Sequence, residues 1–266
     1  VHDLSFIRDP ESAAPGLRRY LEVVVPRSVA RADHVLADSE ATRADLVELY
    51  RTPPEKVSVL YSGVNESFQP VTDAESLAAV RARYGPGDAP FILAVGTLQP
   101  RKNYVRLIQA FASVCRPPSA VRLVIAGGKG WLYDSIFAEV RRLGLTERVL
   151  FPGFVADADL PALYSSARVV AYPSLYEGFG LPMLDAMACG TPVVASTAAC
   201  LPEVAGEAAL LVAPTDVEAF AHALERALTD ETLRAALIAR GHARARQFTW
   251  EKSAQQLLEI YRRLHT

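Results

Sequence analysis

The sequence predicts an α/β protein built around a doubly wound parallel sheet. Short apolar runs alternate along the chain with amphipathic stretches of helical period. Several runs, such as Val169–Ser174, are apolar at consecutive positions instead of every second one. Strands of that kind are buried on both faces, which is typical of a parallel sheet covered by helices on each side.

Eight runs are predicted to be strands: His34–Asp38, Val57–Ser62, Phe91–Gly96, Val121–Gly127, Val149–Gly153, Val169–Ser174, Pro192–Ser196 and Ala208–Ala213. Helix signals lie between them. Gly190 follows the predicted helix Leu181–Cys189, whose first turn holds Pro182, the usual positions for these two residue types. Thr215 and Glu218 are expected to form a capping box at the start of a later helix.

The order of these elements predicts two lobes. Residues 71–90 are rich in Pro and Gly and are interpreted as a linker. Residues 1–70 carry only two or three strands, so they are expected to be part of an N-terminal lobe, whereas 91–248 carry six and form a complete one. A final helix over 249–266 is expected to pack back on the N-terminal lobe. The chain opens at Val1 on residues that resemble the end of a strand, so an upstream part is expected to be missing.

Composition excludes several classes of protein. The formal net charge is −2, which gives no basic footprint for nucleic acid. The 3 cysteines are irregularly spaced and indicate neither a disulfide framework nor a zinc site. No apolar run approaches the roughly 20 residues of a membrane span. A cytoplasmic protein is therefore expected.

The loop after the predicted strand Phe91–Gly96 carries two adjacent cations, Arg101 and Lys102, ahead of a helix predicted over 104–114. In parallel sheets, ligands bind at the carboxyl ends of strands. An Arg fork, a Lys point charge and a helix N-terminus together suit a diphosphate. The alternative is that the two side chains are simply solvated.

The loop after Val169–Ser174 carries a second constellation. Gly178 and Gly180 allow backbone N–H groups to approach a ligand closely, just before a helix N-terminus. Glu177 precedes that helix and Asp185 lies about one turn inside it, so the two carboxylates can meet different hydroxyl-bearing parts of one ligand. The alternative is a plain loop carboxylate and a first-turn dipole partner. With the cations, this pattern indicates a nucleotide sugar.

The chain resembles the family 4 retaining glycosyltransferases, which have the GT-B fold. The stretch Glu177–Ala195 resembles their E-x7-E signature, and Gly96–Asn103 resembles their diphosphate loop. Gly153–Val155, Val59–Asn65 and His2–Leu4 resemble their nucleobase strand, the end of the first lobe and the interlobe histidine motif. The resemblance implies a complete C-terminal Rossmann-like lobe with a parallel sheet and a partial N-terminal Rossmann-like lobe.

The resemblance also implies roles for these residues. Arg101 and Lys102 neutralise the donor diphosphate, Glu177 holds hydroxyls of the transferred sugar, Asp185 holds the ribose, and His2 lies near the donor sugar on the acceptor side. Gly96, Thr97 and Gly128 complete the pocket at the phosphates, and Phe154 and Val155 frame the base. The N–H groups of Phe179, Gly180 and Leu181 contact the sugar and the phosphate.

Two positions depart from the family pattern. Asp185 stands where the second Glu is expected, so its reach is one methylene shorter. Thr97 replaces an Arg that many members carry, which places the phosphate charge on Arg101 and Lys102.

No metal and no separate cofactor are expected, because the family is metal-independent. The D-x-D at Asp157–Asp159 has a metal-binding alternative, but Asp157 is better interpreted as a helix N-cap with Asp159 in the first turn. Gly127–Gly130 lacks the spacing of a P-loop, although Gly128 is placed to line the phosphate pocket.

The expected activity is retaining transfer of a sugar to a glycan or lipid-linked glycan, as in bacterial surface polysaccharide synthesis. The opening motif and the diphosphate loop are similar to those of mannosyl- and related transferases, which favours GDP-mannose over a UDP-sugar. Peripheral association with the inner face of the plasma membrane is expected for such acceptors. Alternatives left open are a donor-binding fragment without transfer activity and a GT-B-fold sugar-nucleotide epimerase.

Overall fold

The computed structural model describes residues 1–115 and 119–264, which form two α/β lobes. The predicted fold class is confirmed. The helices are α1 (Ser5–Arg8), α2 (Pro15–Arg31), α3 (Glu40–Tyr50), α4 (Ala74–Tyr84), α5 (Tyr104–Val114), α6 (Asp134–Arg142), α7 (Leu160–Ser166), α8 (Leu181–Ala188), α9 (Leu201–Ala205), α10 (Val217–Thr229), α11 (Glu231–Ala245) and α12 (Trp250–Leu264). The strands are β1 (Val35–Ala37), β2 (Val57–Val59), β3 (Phe91–Val95), β4 (Arg122–Ala126), β5 (Val149–Gly153), β6 (Val169–Tyr172), β7 (Val193–Ser196) and β8 (Ala209–Val212). The last two residues of the segment predicted over 249–266 lie outside the described residues.

The C-terminal lobe contains a six-stranded parallel sheet in the order β5-β4-β3-β6-β7-β8. The chain runs outward from β3 to β5, then returns to the other side of β3 and runs outward again from β6 to β8. The order therefore reverses between β3 and β6. Crevices at such a switch point, outside the carboxyl ends of the strands, are where doubly wound sheets bind ligands.

Both faces of this sheet are covered, which explains the continuous apolar runs. Successive side chains of a strand point to opposite faces. Phe91 and Leu93 belong to the hydrophobic core on one side, and Ile92 and Ala94 to the core on the other. All four are fully buried, so the strand has no solvent-facing positions at which polar residues would be expected.

The N-terminal lobe, as described, has a parallel pair of strands, with Val35 opposite Val57, and its own small core. The expectation that the first residues are the end of a strand is wrong. Residues 1–4 have no regular structure, and the Asp3 carboxylate accepts the Ser5 N–H at 2.9 Å where the chain turns into α1.

The lobes are joined where the chain crosses between them twice. Val64 forms a parallel bridge with Thr249, so the two crossing segments run side by side. A Cβ at Gly63 would lie 2.2 Å from the backbone nitrogen of Trp250, so this close approach requires glycine. Beyond the second crossing, α12 lies on the N-terminal lobe.

Hydrogen bonds to backbone carbonyls hold α12 in that position. The Gln256 amide donates to the carbonyl of Val59 at 2.8 Å, and the Ser253 hydroxyl donates to that of Tyr61 at 2.7 Å. The C-terminal residues of the chain are thus structurally part of the N-terminal lobe.

The stretch interpreted as a linker, residues 71–90, contains the 11-residue helix α4. The Arg81 guanidinium donates to the carbonyls of Gly87 and Ala89 and to that of Ser166, at the end of α7. These bonds fasten α4 to the C-terminal lobe.

Two predicted helix caps are wrong. The α10 cap is Asp216, whose carboxylate accepts the N–H of Ala219 at 2.9 Å, and not the box of Thr215 and Glu218. Asp157 does not cap α7, because that helix begins later, with Asp159 at the N-cap position.

The carboxylate of Asp159 makes no capping bond of its own. It accepts bonds from Arg83 and Tyr84 of α4 instead, because those stronger donors lie within reach. Among the described residues, no helix is both long and apolar enough to cross a bilayer.

Candidate functional site

The two constellations singled out from the sequence lie side by side at the switch point. Strand β3 ends at Val95 and leads into a short 3-10 helix, Pro100–Lys102, that carries both cations. The neighbouring strand β6 ends at Tyr172 and leads into the loop that carries Glu177. Because β3 and β6 are hydrogen-bonded neighbours, these loops emerge at the same edge of the sheet.

Arg101, Lys102 and Glu177 form a compact triad of charges. Lys102 Nζ lies 2.6 Å from Glu177 Oε1, and Arg101 Nη1 lies 2.8 Å from Oε2. Each carboxylate oxygen therefore has its own cation. Glu177 is 6 % exposed and Lys102 8 % exposed, so the pairs are shielded from solvent.

Burial opposes the ionisation of Glu177 and of Arg101, but attraction to neighbouring opposite charges outweighs it in both. Burial alone would raise the pKa of Glu177; Lys102 and Arg101 lower it below its ordinary value. Burial likewise works against the Arg101 charge, yet the attraction of Glu177 and Asp3 raises the pKa of that guanidinium. The Glu177 carboxylate therefore stays ionised between the two basic side chains.

Asn103 was not among the predicted site residues, but its side chain fastens the loop that carries Arg101 and Lys102. It has a φ of 57°, the left-handed conformation that Asn tolerates better than most residues. Its Nδ2 donates to the carbonyls of Pro173 at 2.9 Å and Pro214 at 2.7 Å, which belong to the loops after β6 and β8. The signal in the sequence that could have indicated this role is an Asn directly before a predicted helix.

Helix α8 presents its N-terminus to the same edge. Gly180 has a φ of 96° at the N-cap position, which explains the glycine there. Within the described part of the chain, the N–H groups of Phe179, Gly180 and Leu181 donate to no acceptor. Free amides at a helix N-terminus form a site for an anion.

Gly178 also permits a close approach between the two lobes, besides the predicted approach of a ligand, which stays a prediction. A Cβ at this position would lie 2.1 Å from the carbonyl oxygen of His2, which belongs to the other lobe. The glycine therefore allows the two lobes to touch at the loop that carries Glu177. His2 itself is exposed, and its Nδ1 lies 2.7 Å from Asp38 Oδ2.

Asp185 lies on α8, as predicted, but away from the triad. Its carboxylate makes no hydrogen bond or ion pair within residues 1–115 and 119–264. Burial without a partner raises its pKa from 3.8 to about 7. A partly buried, unpartnered carboxylate has its hydrogen-bonding capacity available for a ligand.

The remaining predicted residues lie on neighbouring loops at this edge. The loops after β3 and β4 are joined where the N–H of Leu98 donates to the carbonyl of Gly128 at 2.9 Å. Thr97 and Gly128 are exposed, and the carbonyl of Gly96 accepts a bond from Tyr104 at 3.0 Å. After β5, Phe154 is 76 % exposed and Val155 is buried, so of these two side chains only the Phe154 ring is accessible at the surface.

Within the described ranges, no group of three or more His, Cys, Asp or Glu side chains has the arrangement of a metal site.

Two family models match the chain. The model of glycosyl transferases group 1 matches residues 79–244, and that of glycosyltransferase family 4 matches residues 1–68. Together they cover the C-terminal lobe with its triad and the N-terminal lobe with His2.

Curated relatives and solved structures agree with the family models. The O-antigen chain mannosyltransferase B of Escherichia coli is 35% identical over 99% of this chain and 69% of its own length. A D-inositol 3-phosphate glycosyltransferase of Kineococcus radiotolerans is 39% identical over 88% of this chain, which spans only 58% of that protein.

Among solved structures, the sucrose-phosphate synthase of Thermosynechococcus elongatus is 31% identical to this chain, with a TM-score of 0.81. The match covers 99% of this chain and 66% of the synthase chain. Anabaena HepE in complex with UDP and glucose is 27% identical, with a TM-score of 0.84 over 98% of this chain and 70% of its own. The fold, the family models and these relatives agree: the chain belongs to the glycosyl transferases group 1 family and has the GT-B fold.

Proposed function

We propose that this chain provides the donor site of a retaining, metal-independent glycosyltransferase that uses a nucleoside-diphosphate sugar. The observation that best supports this proposal is the triad of Arg101, Lys102 and Glu177 beside the free amides of α8. Arg101 and Lys102 supply charged hydrogen-bond donors for a diphosphate, on which negative charge develops as it leaves. Glu177, held between them, keeps oxygen lone pairs for hydroxyls of the transferred sugar.

The rest of the pocket fits the other parts of such a donor. The amides of Phe179, Gly180 and Leu181 are directed toward the phosphates and sugar. Asp185 accepts the ribose hydroxyls, and Phe154 lies against the base. These assignments rest on the placement of each residue at one edge of the sheet and on the complex of the relative HepE with UDP and glucose.

We infer mannose as the sugar, GDP as the nucleotide, and a glycan or lipid-linked glycan as the acceptor, as in bacterial surface polysaccharide synthesis. The support is the resemblance to the O-antigen chain mannosyltransferase B. His2, exposed at the lobe boundary, is the residue proposed to face the donor sugar from the acceptor side. We place the protein in the cytoplasm, at the inner face of the plasma membrane. The three cysteines, which are buried and form no disulfide, fit the cytoplasmic part of this proposal.

Titration calorimetry with GDP-mannose and UDP-glucose tests donor binding. We expect one of the two to bind, and Arg101→Ala to lose about tenfold or more in affinity, the effect of one charge-assisted contact. If neither binds and Arg101→Ala behaves like the parent, the proposal fails. Product analysis with a labelled donor, with and without a glycan acceptor, then separates transfer from epimerisation and from binding without turnover.

A further inference from the structure

A buried tyrosine lies directly behind the lysine of the triad. Tyr172 is the last residue of β6, is 2 % exposed and belongs to one of the hydrophobic cores. Lys102 Nζ lies 3.3 Å from its hydroxyl oxygen and 5.1 Å from the centroid of its ring. A cation within about 6 Å of a ring face is attracted by the negative face of the ring. One tyrosine therefore contacts the ammonium group in two ways.

The hydroxyl of Tyr172 stays neutral in this position. Burial, together with the neighbouring Glu177 carboxylate, raises the pKa of Tyr172 well above its ordinary value. The phenol keeps its proton, so it accepts a hydrogen bond from Lys102 without adding a negative charge beside it. Tyr172 therefore restrains the ammonium group and leaves its charge in place.

The stem of Lys102 is confined as well. A Cβ at Gly96 would lie 3.1 Å from Lys102 Cε and 3.0 Å from Tyr104 Oη, so the lysine stem occupies space that a side chain at position 96 would need. The Tyr104 hydroxyl donates to the Gly96 carbonyl at 3.0 Å and is fixed by that bond. A free lysine loses much rotamer freedom when it binds a ligand, whereas a side chain that is already confined loses less.

Two of the three N–H donors of the Lys102 ammonium have acceptors. Glu177 Oε1 lies 2.6 Å from Nζ, and the Tyr172 hydroxyl oxygen lies 3.3 Å from it. Within residues 1–115 and 119–264, the third donor has no acceptor. Because an ammonium group is tetrahedral, two fixed directions determine the third. The donor that remains for a ligand therefore has a direction that Tyr172 helps to set.

We propose that Tyr172 is a positioning residue for Lys102, and that its hydroxyl and ring hold the ammonium group in the direction in which it meets the donor diphosphate. The inference rests on the proposed function and adds to it a residue behind the binding surface. Because Tyr172 is buried in the core, it acts on the donor only through the lysine. Its hydroxyl should therefore contribute to diphosphate affinity only while Lys102 is present.

Tyr172→Phe tests this dependence, because it removes the hydroxyl and keeps the ring. The ring has to stay, since it also lies against α8, where a Cβ at Gly180 would be 3.6 Å from Tyr172 Cε1. Calorimetry with UDP and with GDP measures affinity in the parent, in Tyr172→Phe, in Lys102→Met and in the double variant. We expect Tyr172→Phe to weaken the nucleotide that the parent binds by about threefold or more, the effect of one hydrogen bond.

In the Lys102→Met background, the same change at Tyr172 should cause no further loss of affinity, because the group that it positions is gone. A merely structural role would weaken binding equally in both backgrounds. Tyr84→Phe is the matched control in the same lobe, since it removes a hydroxyl that donates to Asp159 at 2.6 Å, and should bind like the parent. If Lys102→Met does not fold, uridine or guanosine replaces it as the reference: Tyr172→Phe should weaken the diphosphate and leave the nucleoside unchanged.

Parent-like affinity in Tyr172→Phe, or the same loss with and without Lys102, would overturn the positioning role while the donor site stands. If the parent binds neither UDP nor GDP, the proposed function fails and the diphosphate role of Tyr172 fails with it. The urea midpoints of the same variants then test the contact itself. Shifts that are smaller in the double variant than the sum of the single shifts support the contact between Tyr172 and Lys102, whereas additive shifts contradict it.

Discussion

The hydroxyl of Tyr176 donates a hydrogen bond to Asp45, a residue of α3 in the opposite lobe. Asp45 is also held by Arg8, whose Nε lies 2.8 Å from Oδ1. Tyr176 directly precedes Glu177, and its carbonyl accepts a bond from Arg101 at 2.6 Å. The N-terminal lobe thus holds the loop that positions the triad carboxylate.

Replacing Tyr176 by Phe removes this bond and leaves the Asp45 carboxylate with one donor fewer. We expect the free energy of unfolding to fall by about 1–2 kcal/mol, measured by urea denaturation, because the pair is buried. Nucleotide-sugar affinity should fall as well, since the Glu177 loop loses its interlobe anchor. Tyr20→Phe is the control, because Tyr20 is 61 % exposed on α2; an equal effect in both variants would contradict the role given to Tyr176.

The triad predicts strong coupling between Lys102 and Glu177. Lys102→Met should destabilise the free protein by about 3 kcal/mol, because it leaves a buried carboxylate with Arg101 as its sole cation. Glu177→Gln should also destabilise, by leaving two adjacent cations without a counter-charge.

The double variant Lys102→Met with Glu177→Gln is expected to cost less than the sum of the single variants. A double-mutant cycle of urea denaturation measures the difference, which should be about 1 kcal/mol or more for groups in direct contact. Additive costs would show that the 2.6 Å contact contributes nothing to stability.

The contact between Gly178 and His2 predicts that a single methyl group forces the lobes apart. In Gly178→Ala the new Cβ would meet the His2 carbonyl, a backbone atom that cannot rotate away. We expect a loss of about 1–3 kcal/mol in the free energy of unfolding, as for other overpacked sites. Gly16→Ala on α2 is the matched control, since a Cβ there meets nothing within 4 Å. A Gly178→Ala protein as stable as the parent would contradict the contact.

Asp185 predicts a pH dependence of stability. Its pKa is about 7 in the folded chain and near 3.8 when unfolded, so between these values the folded state binds more protons. The free energy of unfolding therefore falls as pH rises from about 4 to about 7. Above pH 7 the loss of stability caused by ionisation of Asp185 stays constant. Asp185→Asn should be more stable than the parent at pH 8, by about 1–2 kcal/mol, and less distinct at pH 5.5. Thermal unfolding at the two values tests this; a pH-independent difference would contradict it.

The same ionisation should control donor binding. The ionised carboxylate accepts from two ribose hydroxyls, whereas the protonated form accepts less well. The affinity of the parent for a nucleotide sugar should therefore rise several-fold between pH 6 and pH 8. Asp185→Asn should bind more weakly at pH 8 and show little pH dependence. Calorimetry measures the affinity of both proteins for the nucleotide sugar across this pH range. If the affinity changes with pH in the same way in both, the titrating group is not Asp185.

Much of the fold was predictable because its signals are local. The strand that begins at Phe91 and the helix beginning at Tyr104 were located from apolar runs, period and punctuation alone. The position of Arg101 and Lys102 at the carboxyl end of a buried strand was likewise located from the sequence, whereas anion binding there stays a prediction. Local signals were weaker at helix caps, where Thr215 and Asp216 both suit the N-cap and only the backbone geometry selects Asp216.

The sequence by itself determined the fold class, the family and the residue types that follow β3 and β6, because each is encoded in periodicity and motif spacing along the chain and needs no tertiary contact. Tertiary structure alone decided which residues meet across the lobe boundary. That Gly178 lies against His2 and that Tyr176 binds Asp45 follow from how the two lobes dock. The physical reason is that these contacts join segments distant in the chain, so no periodicity or local propensity encodes them.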